Sequence, residues 1–268
     1  MRKIILTLTI VFLILNVATG QDYFKLGNDE AKKGNYETAI EYYTKDIQNS
    51  PSPKAYYNRG VVYGNLQKYD KAIADYTKAI GLKPDFALAY YNRGVEYYAL
   101  RKYDEAIADY TNAIGIKPDY AEAYNNRGLA YDVLQKYYEA IVDFNKAIGL
   151  RPDDTEAYYN RGNAYRNIQK YDEAIADYNK AIRLNPDYAG AYNNRGIAYK
   201  ELQKYDEAIA DYTKAIGLNP DDAEAYNNRG IVYYSQGDCY NAKKDWEKAI
   251  KLNSDCESEL RPYINECK

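Results

Sequence analysis

A hexapeptide, Ala-Tyr-(Tyr/Asn)-Asn-Arg-Gly, recurs six times in this chain at intervals of 34 residues. Its glycines are Gly60, Gly94, Gly128, Gly162, Gly196 and Gly230. A fixed period of about 20 to 50 residues is the signature of a solenoid, in which each unit buries its apolar face only against its neighbours. We therefore expect a chain built by stacking, whose function depends on what the stacked surface binds.

Within one period the apolar residues have helical spacing. In residues 53–86, Tyr56, Gly60 and Tyr63 lie at i, i+4 and i+7, on one stripe of a helix. After a polar break, a second helical set follows, made of Ala72, Ile73, Tyr76, Ala79 and Ile80. Pro84 then ends the second helix, because its ring clashes with the preceding turn and it donates no hydrogen bond. Each period is predicted to be a helix, a turn and a second helix.

Acidic residues near the predicted helix starts are expected to cap them. For three first helices, an aspartate is followed three residues later by a glutamate, which is the spacing of a capping box. These pairs are Asp119 with Glu122, Asp153 with Glu156, and Asp221 with Glu224. The aspartates expected to cap second helices are Asp70, Asp104, Asp172 and Asp206.

The pattern of an early Tyr, then Gly, Tyr, Ala, an aromatic residue, Ala and Pro resembles the tetratricopeptide repeat (TPR) family. The resemblance implies an all-α solenoid, a right-handed superhelix of seven helix-turn-helix repeats. The repeats are predicted at about 20–52, 53–86, 87–120, 121–154, 155–188, 189–222 and 223–256. The first is degenerate, and in the last Trp246 replaces the second-helix tyrosine and Ser254 the proline. Residues 257–268 are predicted to form a capping helix.

The first twenty residues differ in composition from the repeats. Arg2 and Lys3 precede an apolar run over residues 4–17, and small residues end it at Gly20. This is the pattern of a secretory signal peptide over residues 1–20, with cleavage expected after Gly20, which leaves no integral membrane segment. An uncleaved membrane anchor is the alternative. The expected location is therefore exported, either periplasmic or secreted.

All three cysteines, Cys239, Cys256 and Cys267, lie near the C-terminus. In an exported chain a disulfide is expected, and an odd count leaves one thiol over. An antiparallel capping helix would bring Cys267 back to Cys239, at the start of the last second helix, while Cys256 would lie beyond the far end of that helix. We predict a Cys239–Cys267 bridge; three packed or free thiols are the alternative.

The composition gives little support for catalysis or nucleic-acid binding. The chain has no histidine, which removes the most common general base. No phosphate loop, nucleophile elbow or cysteine metal motif is present, so no catalytic, cofactor or metal site is expected. Without residues 1–20 the net charge is −5, since Arg2 and Lys3 leave with them. No basic stripe for nucleic acid is seen.

An arginine precedes each of the six glycines, and an aspartate occupies a fixed place in each second helix. The pairs are Arg59 with Asp75, Arg93 with Asp109, Arg127 with Asp143, Arg161 with Asp177, Arg195 with Asp211, and Arg229 with Asp245. In the first repeat both are replaced together, by Leu26 and Tyr42. This joint change predicts a structural ion pair between the helices of each repeat rather than a ligand site.

An asparagine stands two residues before each glycine, away from the packed stripe. This ladder consists of Asn58, Asn92, Asn126, Asn160, Asn194 and Asn228. The TPR resemblance implies that this part of the first helix lines a concave groove. There a carboxamide can both donate to and accept from a peptide backbone. Beside the ladder lie the predicted groove tyrosines Tyr57, Tyr91 and Tyr159. Asparagines copied by duplication without a ligand are the alternative.

We therefore predict a non-enzymatic protein–protein interaction scaffold that holds an extended peptide or a partner segment in the groove. A second hypothesis is small-ligand or glycan binding, with Tyr57, Tyr91, Tyr98 and Tyr159 as stacking surfaces. A third is a structural spacer in an envelope assembly.

Overall fold

The computed structural model describes residues 22–267, so the predicted signal peptide, residues 1–20, lies outside the described residues. Over these residues the chain forms α-helices and one short 3-10 helix, with no strand. The α-helices are α1 Tyr23–Lys32, α2 Tyr36–Asn49, α3 Pro53–Asn65, α4 Tyr69–Leu82, α5 Ala87–Ala99, α6 Tyr103–Ile116, α7 Ala121–Val133, α8 Tyr137–Leu150, α9 Thr155–Asn167, α10 Tyr171–Leu184, α11 Ala189–Glu201, α12 Tyr205–Leu218, α13 Ala223–Ser235, α14 Cys239–Leu252 and α15 Glu257–Glu266. The 3-10 helix is Ser254–Cys256.

The described residues divide into two compact units, residues 22–116 and residues 117–267. Unit 1 contains the helix pairs α1–α2, α3–α4 and α5–α6, and unit 2 contains α7–α8, α9–α10, α11–α12 and α13–α14, followed by α15. The helices of each pair pack together, and within a unit each second helix also packs against the first helix of the next pair. The predicted all-α fold of seven helix-turn-helix repeats with a C-terminal helix is confirmed.

A glycine on each first helix allows its second helix to approach closely. A Cβ added at Gly60 would lie 2.8 Å from the Tyr76 ring, and one added at Gly162 would lie 2.7 Å from the Tyr178 ring. These rings are almost fully buried. The repeated glycine is therefore required by ring packing between the helices rather than by backbone flexibility.

The predicted N-cap residues of the first helices are wrong, because each lies one residue before the N-cap position in the structure. The side chain that caps α9 is Asp154, which accepts from the Ala157 amide at 3.1 Å, and Asp222 caps α13. Tyr120 precedes α7 without a side-chain cap, so Asp119 does not serve there. The expected second-helix caps lie inside the first turn, where their negative charge still favours the helix N-terminus.

The turn inside each repeat contains one residue with a left-handed backbone. These residues are Gly34, Gln67, Arg101, Gln135, Gln169, Gln203 and Gly237, with φ between 56° and 81°. Glycine adopts this conformation readily, whereas other residues are strained in it. Five of the seven turns therefore hold a non-glycine residue in a costly conformation.

The predicted arginine–aspartate pairs form in the six repeats that have them. In the α9–α10 pair, Nε and Nη2 of Arg161 donate to both carboxylate oxygens of Asp177, at 2.7 and 2.6 Å. Nη1 also donates to the Asn145 side chain, on the second helix of the preceding repeat. Asp177 is 5% exposed, so the pair is largely removed from water. The guanidinium groups of Arg59, Arg93, Arg161, Arg195 and Arg229 each join two repeats in this way, which explains their recurrence without a ligand.

Helix α15 covers the exposed end of the last repeat. Leu260 and Ile264 on α15 are buried against Trp246 and two alanines of α14. The indole of Trp246 is 2% exposed, whereas the end of an uncovered solenoid would leave it in water. The capping helix therefore completes the core of unit 2.

The cysteines of unit 2 lie where the sequence argument placed them, as free thiols. Burial and the neighbouring Cys239 thiol raise the pKa of Cys267 to about 11. Cys256 instead donates to the Asn253 carbonyl, at 2.8 Å. The Cys239–Cys267 bridge stays a prediction.

Candidate functional site

In unit 1 the ladder asparagines connect consecutive first helices. Asn58 on α3 donates from Nδ2 to the side-chain oxygen of Asn28 on α1, at 2.7 Å. Asn92 on α5 donates to the Tyr57 hydroxyl on α3, at 2.8 Å. Each amide nitrogen is therefore held by the repeat that precedes it.

Unit 2 repeats this arrangement on its own first helices. Asn160 donates to the Asn125 side chain at 3.3 Å, and Asn228 donates to the Asn193 side chain at 3.2 Å. Asn194 donates to the Tyr159 hydroxyl at 3.0 Å and to the Asn163 side-chain oxygen at 2.8 Å, both on α9. Asn126 lies at the same place on α7 and is half-buried.

These bonds give the ladder a structural role that sequence reasoning missed. The carboxamide nitrogen faces the preceding repeat, and within residues 22–267 no donor reaches the carbonyl oxygens of Asn58, Asn92 and Asn228. The signal was present in the sequence. Each residue just before a ladder asparagine is a Tyr or an Asn, and four of these residues accept from the next repeat: Tyr57, Asn125, Tyr159 and Asn193.

The predicted groove tyrosines are half-buried rather than free stacking surfaces. The Tyr57 ring packs on Phe86, with centroids 4.9 Å apart, and the Tyr159 ring packs on Tyr188, with centroids 4.8 Å apart. Tyr91 packs on a ring of α6 in the same way. Only part of each face is accessible, which weakens the stacking hypothesis for glycans.

A cavity of about 370 Å³ opens beside the ladder in unit 1. Its polar lining comes from Asn28, Lys32, Asn58 and Asn65, on α1 and α3. Val61 and other apolar side chains form its floor. Amide groups around an apolar floor suit a polypeptide segment, which carries both backbone amides and side chains.

One buried acidic group lies on the first helices of unit 1. Glu96 on α5 is 8% exposed, and burial raises the pKa of its carboxyl group to about 7. Within residues 22–267, no three His, Cys, Asp or Glu side chains cluster as a metal ion would require. No helix of this part of the chain is long and apolar enough to cross a membrane.

Family models match most of these helix pairs. A model described as "Tetratricopeptide repeat" matches residues 53–86, 121–154 and 223–256, and one described as "TPR repeat" matches residues 94–132, 162–203 and 198–237. A third, also a tetratricopeptide repeat, matches residues 144–176. The chain belongs to the tetratricopeptide repeat family. TPR repeats generally serve as non-catalytic scaffolds that bind protein or peptide partners.

The curated relatives share short segments with this TPR protein. It is 38% identical over 58 residues to sperm-associated antigen 1 of Rattus norvegicus, which is 22% of this chain and 6% of that protein. It is 34% identical over 70 residues, 26% of this chain, to small glutamine-rich tetratricopeptide repeat-containing protein 2 of Saccharomyces cerevisiae. That match covers 20% of the yeast protein. The chain thus spans at most about a fifth of these relatives.

Solved TPR structures share its fold over longer stretches. The protein MamA is 29% identical, with a TM-score of 0.57 over 62% of this chain and 96% of MamA. A TPR protein from Parabacteroides merdae is 23% identical, with a TM-score of 0.67 over 92% of this chain and 98% of its own. YrrB, described as a TPR protein with an unusual peptide-binding site, is 24% identical, with a TM-score of 0.59 over 70% of this chain and 96% of YrrB. The last two likenesses show the fold alone.

Proposed function

We propose that this TPR protein binds an extended peptide or partner segment along the ladder asparagines of each unit. The observation that carries the proposal is the orientation of the carboxamides. Because the nitrogens of Asn58, Asn92 and Asn228 are held by the preceding repeat, the oxygens of these carboxamides are fixed and available as acceptors. A fixed acceptor binds a peptide N–H without the entropy cost of ordering a free side chain.

The spacing of the ladder supports an extended ligand. Packed helices lie about 8 to 10 Å apart, and an extended chain advances about 3.3 Å per residue. A bound strand would therefore meet one asparagine about every third residue. Side chains beside the ladder differ from repeat to repeat, which would give sequence selectivity to a uniform backbone contact.

Two sets of variants separate the ligand role of the ladder from its structural role. Asn92→Ala with Asn194→Ala removes two ladder oxygens together with the hydrogen bonds to Tyr57 and Tyr159, and Asn194→Ala also removes the bonds to Asn163 and Asn193. The control, Tyr57→Phe with Tyr159→Phe, removes the same two hydrogen bonds to the preceding repeat but keeps both asparagines. The probe is an immobilised library of unstructured ten-residue peptides, with binding measured by fluorescence anisotropy of the peptides selected by wild type.

We expect the asparagine variant to bind the selected peptides at least tenfold more weakly, and the tyrosine variant to bind within about threefold of wild type. Equal losses in both variants would assign the ladder to repeat packing alone. If wild type selects no peptide from the library, the peptide-binding proposal is wrong.

We also propose that the protein is exported, because residues 1–20 have the composition of a signal peptide. Intact mass measurement of the protein from the exported fraction tests this. The expected species begins at Gln21, and a chain that retains residues 1–20 would contradict signal cleavage.

A further inference from the structure

Glu96 in unit 1 is a largely buried residue whose carboxylate has no partner within the described residues. Its side chain makes no hydrogen bond or ion pair within the described residues, and 92% of its surface is removed from water. A buried, unpaired carboxylate is costly, since burial disfavours its ionised form. The equivalent places in the other repeats that carry the hexapeptide hold small apolar residues: Val62, Ala130, Ala164, Ala198 and Val232.

A missing side chain on the neighbouring helix makes room for this carboxylate. Gly64 on α3 faces it, and a Cβ added at Gly64 would collide with the Glu96 carboxylate oxygen Oε1. The other repeats with the hexapeptide carry a side chain at the place of Gly64, and each is half-buried or exposed: Tyr98, Asp132, Arg166, Lys200 and Tyr234. Two departures from the repeat pattern, one on each helix, thus meet at a single point.

Gly64 and Glu96 lie on the face of unit 1 that carries the ladder asparagines Asn58 and Asn92. One repeat earlier, the residues at the places of Gly64 and Glu96 are Ala31 and Val62. Both line the 370 Å³ cavity beside Asn58. The Glu96 carboxylate therefore occupies the next equivalent position along the same face, where an extended ligand would pass.

The chemistry of the site restricts what it can bind. One carboxylate is too few for Ca²⁺, which takes six to eight oxygen ligands. The nearby phenol of Tyr76 interacts with the carboxylate electrostatically and adds no positive charge. A cationic nitrogen with several N–H donors would satisfy a lone carboxylate, and such bonds are among the stronger ones in proteins.

We propose that Glu96, beside Gly64, forms a subsite for a lysine or arginine side chain of the bound peptide. The subsite rests on the proposed peptide-binding function and sets one position of its specificity. The ligand donates from its charged end to the Glu96 carboxylate, while its aliphatic stem lies along the face that carries the ladder asparagines.

An oriented peptide library tests the subsite with the full-length protein at pH 7.5. Each sub-library fixes Lys, Arg, norleucine or Glu at one position of a ten-residue peptide and randomises the others. Wild type is compared with Glu96→Gln, which keeps the shape and removes the charge. The matched control is Glu105→Gln, which removes an exposed charge on α6 of the same unit.

We expect wild type to favour Lys and Arg over norleucine by about tenfold at one position, and Glu96→Gln to lose that preference. Glu105→Gln should keep it. Peptides that bind with no basic preference, or a preference that survives Glu96→Gln, would overturn the subsite and leave peptide binding intact. An equal loss in Glu105→Gln would assign the preference to overall charge and would also overturn it. Failure to select any peptide would overturn both proposals.

Discussion

At the residue scale, the arginine–aspartate pairs illustrate how a recurring charge serves the fold. We expect Asp177→Ala to lower the free energy of unfolding by about 3 kcal/mol, because it leaves the Arg161 guanidinium buried without its partner. The double variant Arg161→Leu, Asp177→Tyr copies Leu26 and Tyr42 of the first repeat. It should regain most of the loss. Guanidinium unfolding followed by circular dichroism measures both, and a double variant as unstable as the single one would contradict this explanation.

Glu96 gives a second prediction at the residue scale, on the pH dependence of stability. Its pKa in the folded protein is about 7, above the usual 4.5, so folding favours the protonated form. Its stabilising contribution is complete below about pH 4.5 and is lost as the pH rises through 7. We expect wild type to lose about 1 to 2 kcal/mol between pH 5 and pH 8 relative to Glu96→Val. Urea unfolding at both pH values measures this, and parallel pH profiles would show that Glu96 is not desolvated.

At the element scale, the capping helix α15 packs against α14, and the thiols of Cys239 and Cys267 offer a covalent link between their ends. Oxidised glutathione should form the Cys239–Cys267 bridge, accepting two electrons and releasing two equivalents of the reduced tripeptide. Because the raised pKa of Cys267 limits thiolate at neutral pH, the reaction should be faster at pH 8.5.

We expect the bridge to stabilise unit 2 by about 3 kcal/mol, from the reduced entropy of the unfolded chain. Non-reduced peptide mapping identifies the pairing, and a Cys256→Ser variant should behave as wild type. A bridge that includes Cys256, or no bridge under these conditions, would contradict the prediction.

Also at the element scale, the sequence predicted what belongs to one repeat and missed what joins two. Helical spacing around Gly60 and Tyr76 determined the helix pair, and the joint loss at Leu26 and Tyr42 revealed the ion pair. The left-handed turn at Gln67 was missed, because glutamine rarely adopts that conformation. The bond from Asn92 to Tyr57 was also missed. It depends on how one repeat is rotated on the previous one, which the pattern inside a repeat does not contain.

For the candidate site too, the sequence predicted the position of the residues within a repeat but not their contacts with the next repeat. Spacing identified Asn58 and its equivalents as a face apart from the core, and the TPR resemblance placed that face in a groove. The direction of each carboxamide was not predictable, because both ends of an asparagine side chain can hydrogen-bond. Glu96 was missed: it is one charge among apolar equivalents in the sequence, but its burial depends on Gly64, which faces it from the neighbouring helix.

At the scale of the whole molecule, a chain of repeats should not unfold as one unit. Each repeat contacts only its neighbours, so the stability of a solenoid is a sum of local terms, and its ends open first. The chain has one tryptophan, and Trp246 lies buried beneath Leu260 in the last repeat. Its fluorescence therefore reports the C-terminal end, whereas far-ultraviolet circular dichroism reports all the helices.

We expect urea to change the Trp246 fluorescence at a lower midpoint than it changes the circular dichroism, because the last repeat has a neighbour on one side and only the short α15 on the other. Oxidising Cys239 and Cys267 should raise the fluorescence midpoint toward that of the dichroism, since the bridge holds α15 against the last repeat. The Cys239→Ser variant, treated with the same oxidant, should keep the two midpoints apart. Coincident transitions in the reduced wild type would mean that coupling between repeats exceeds the cost of opening the end.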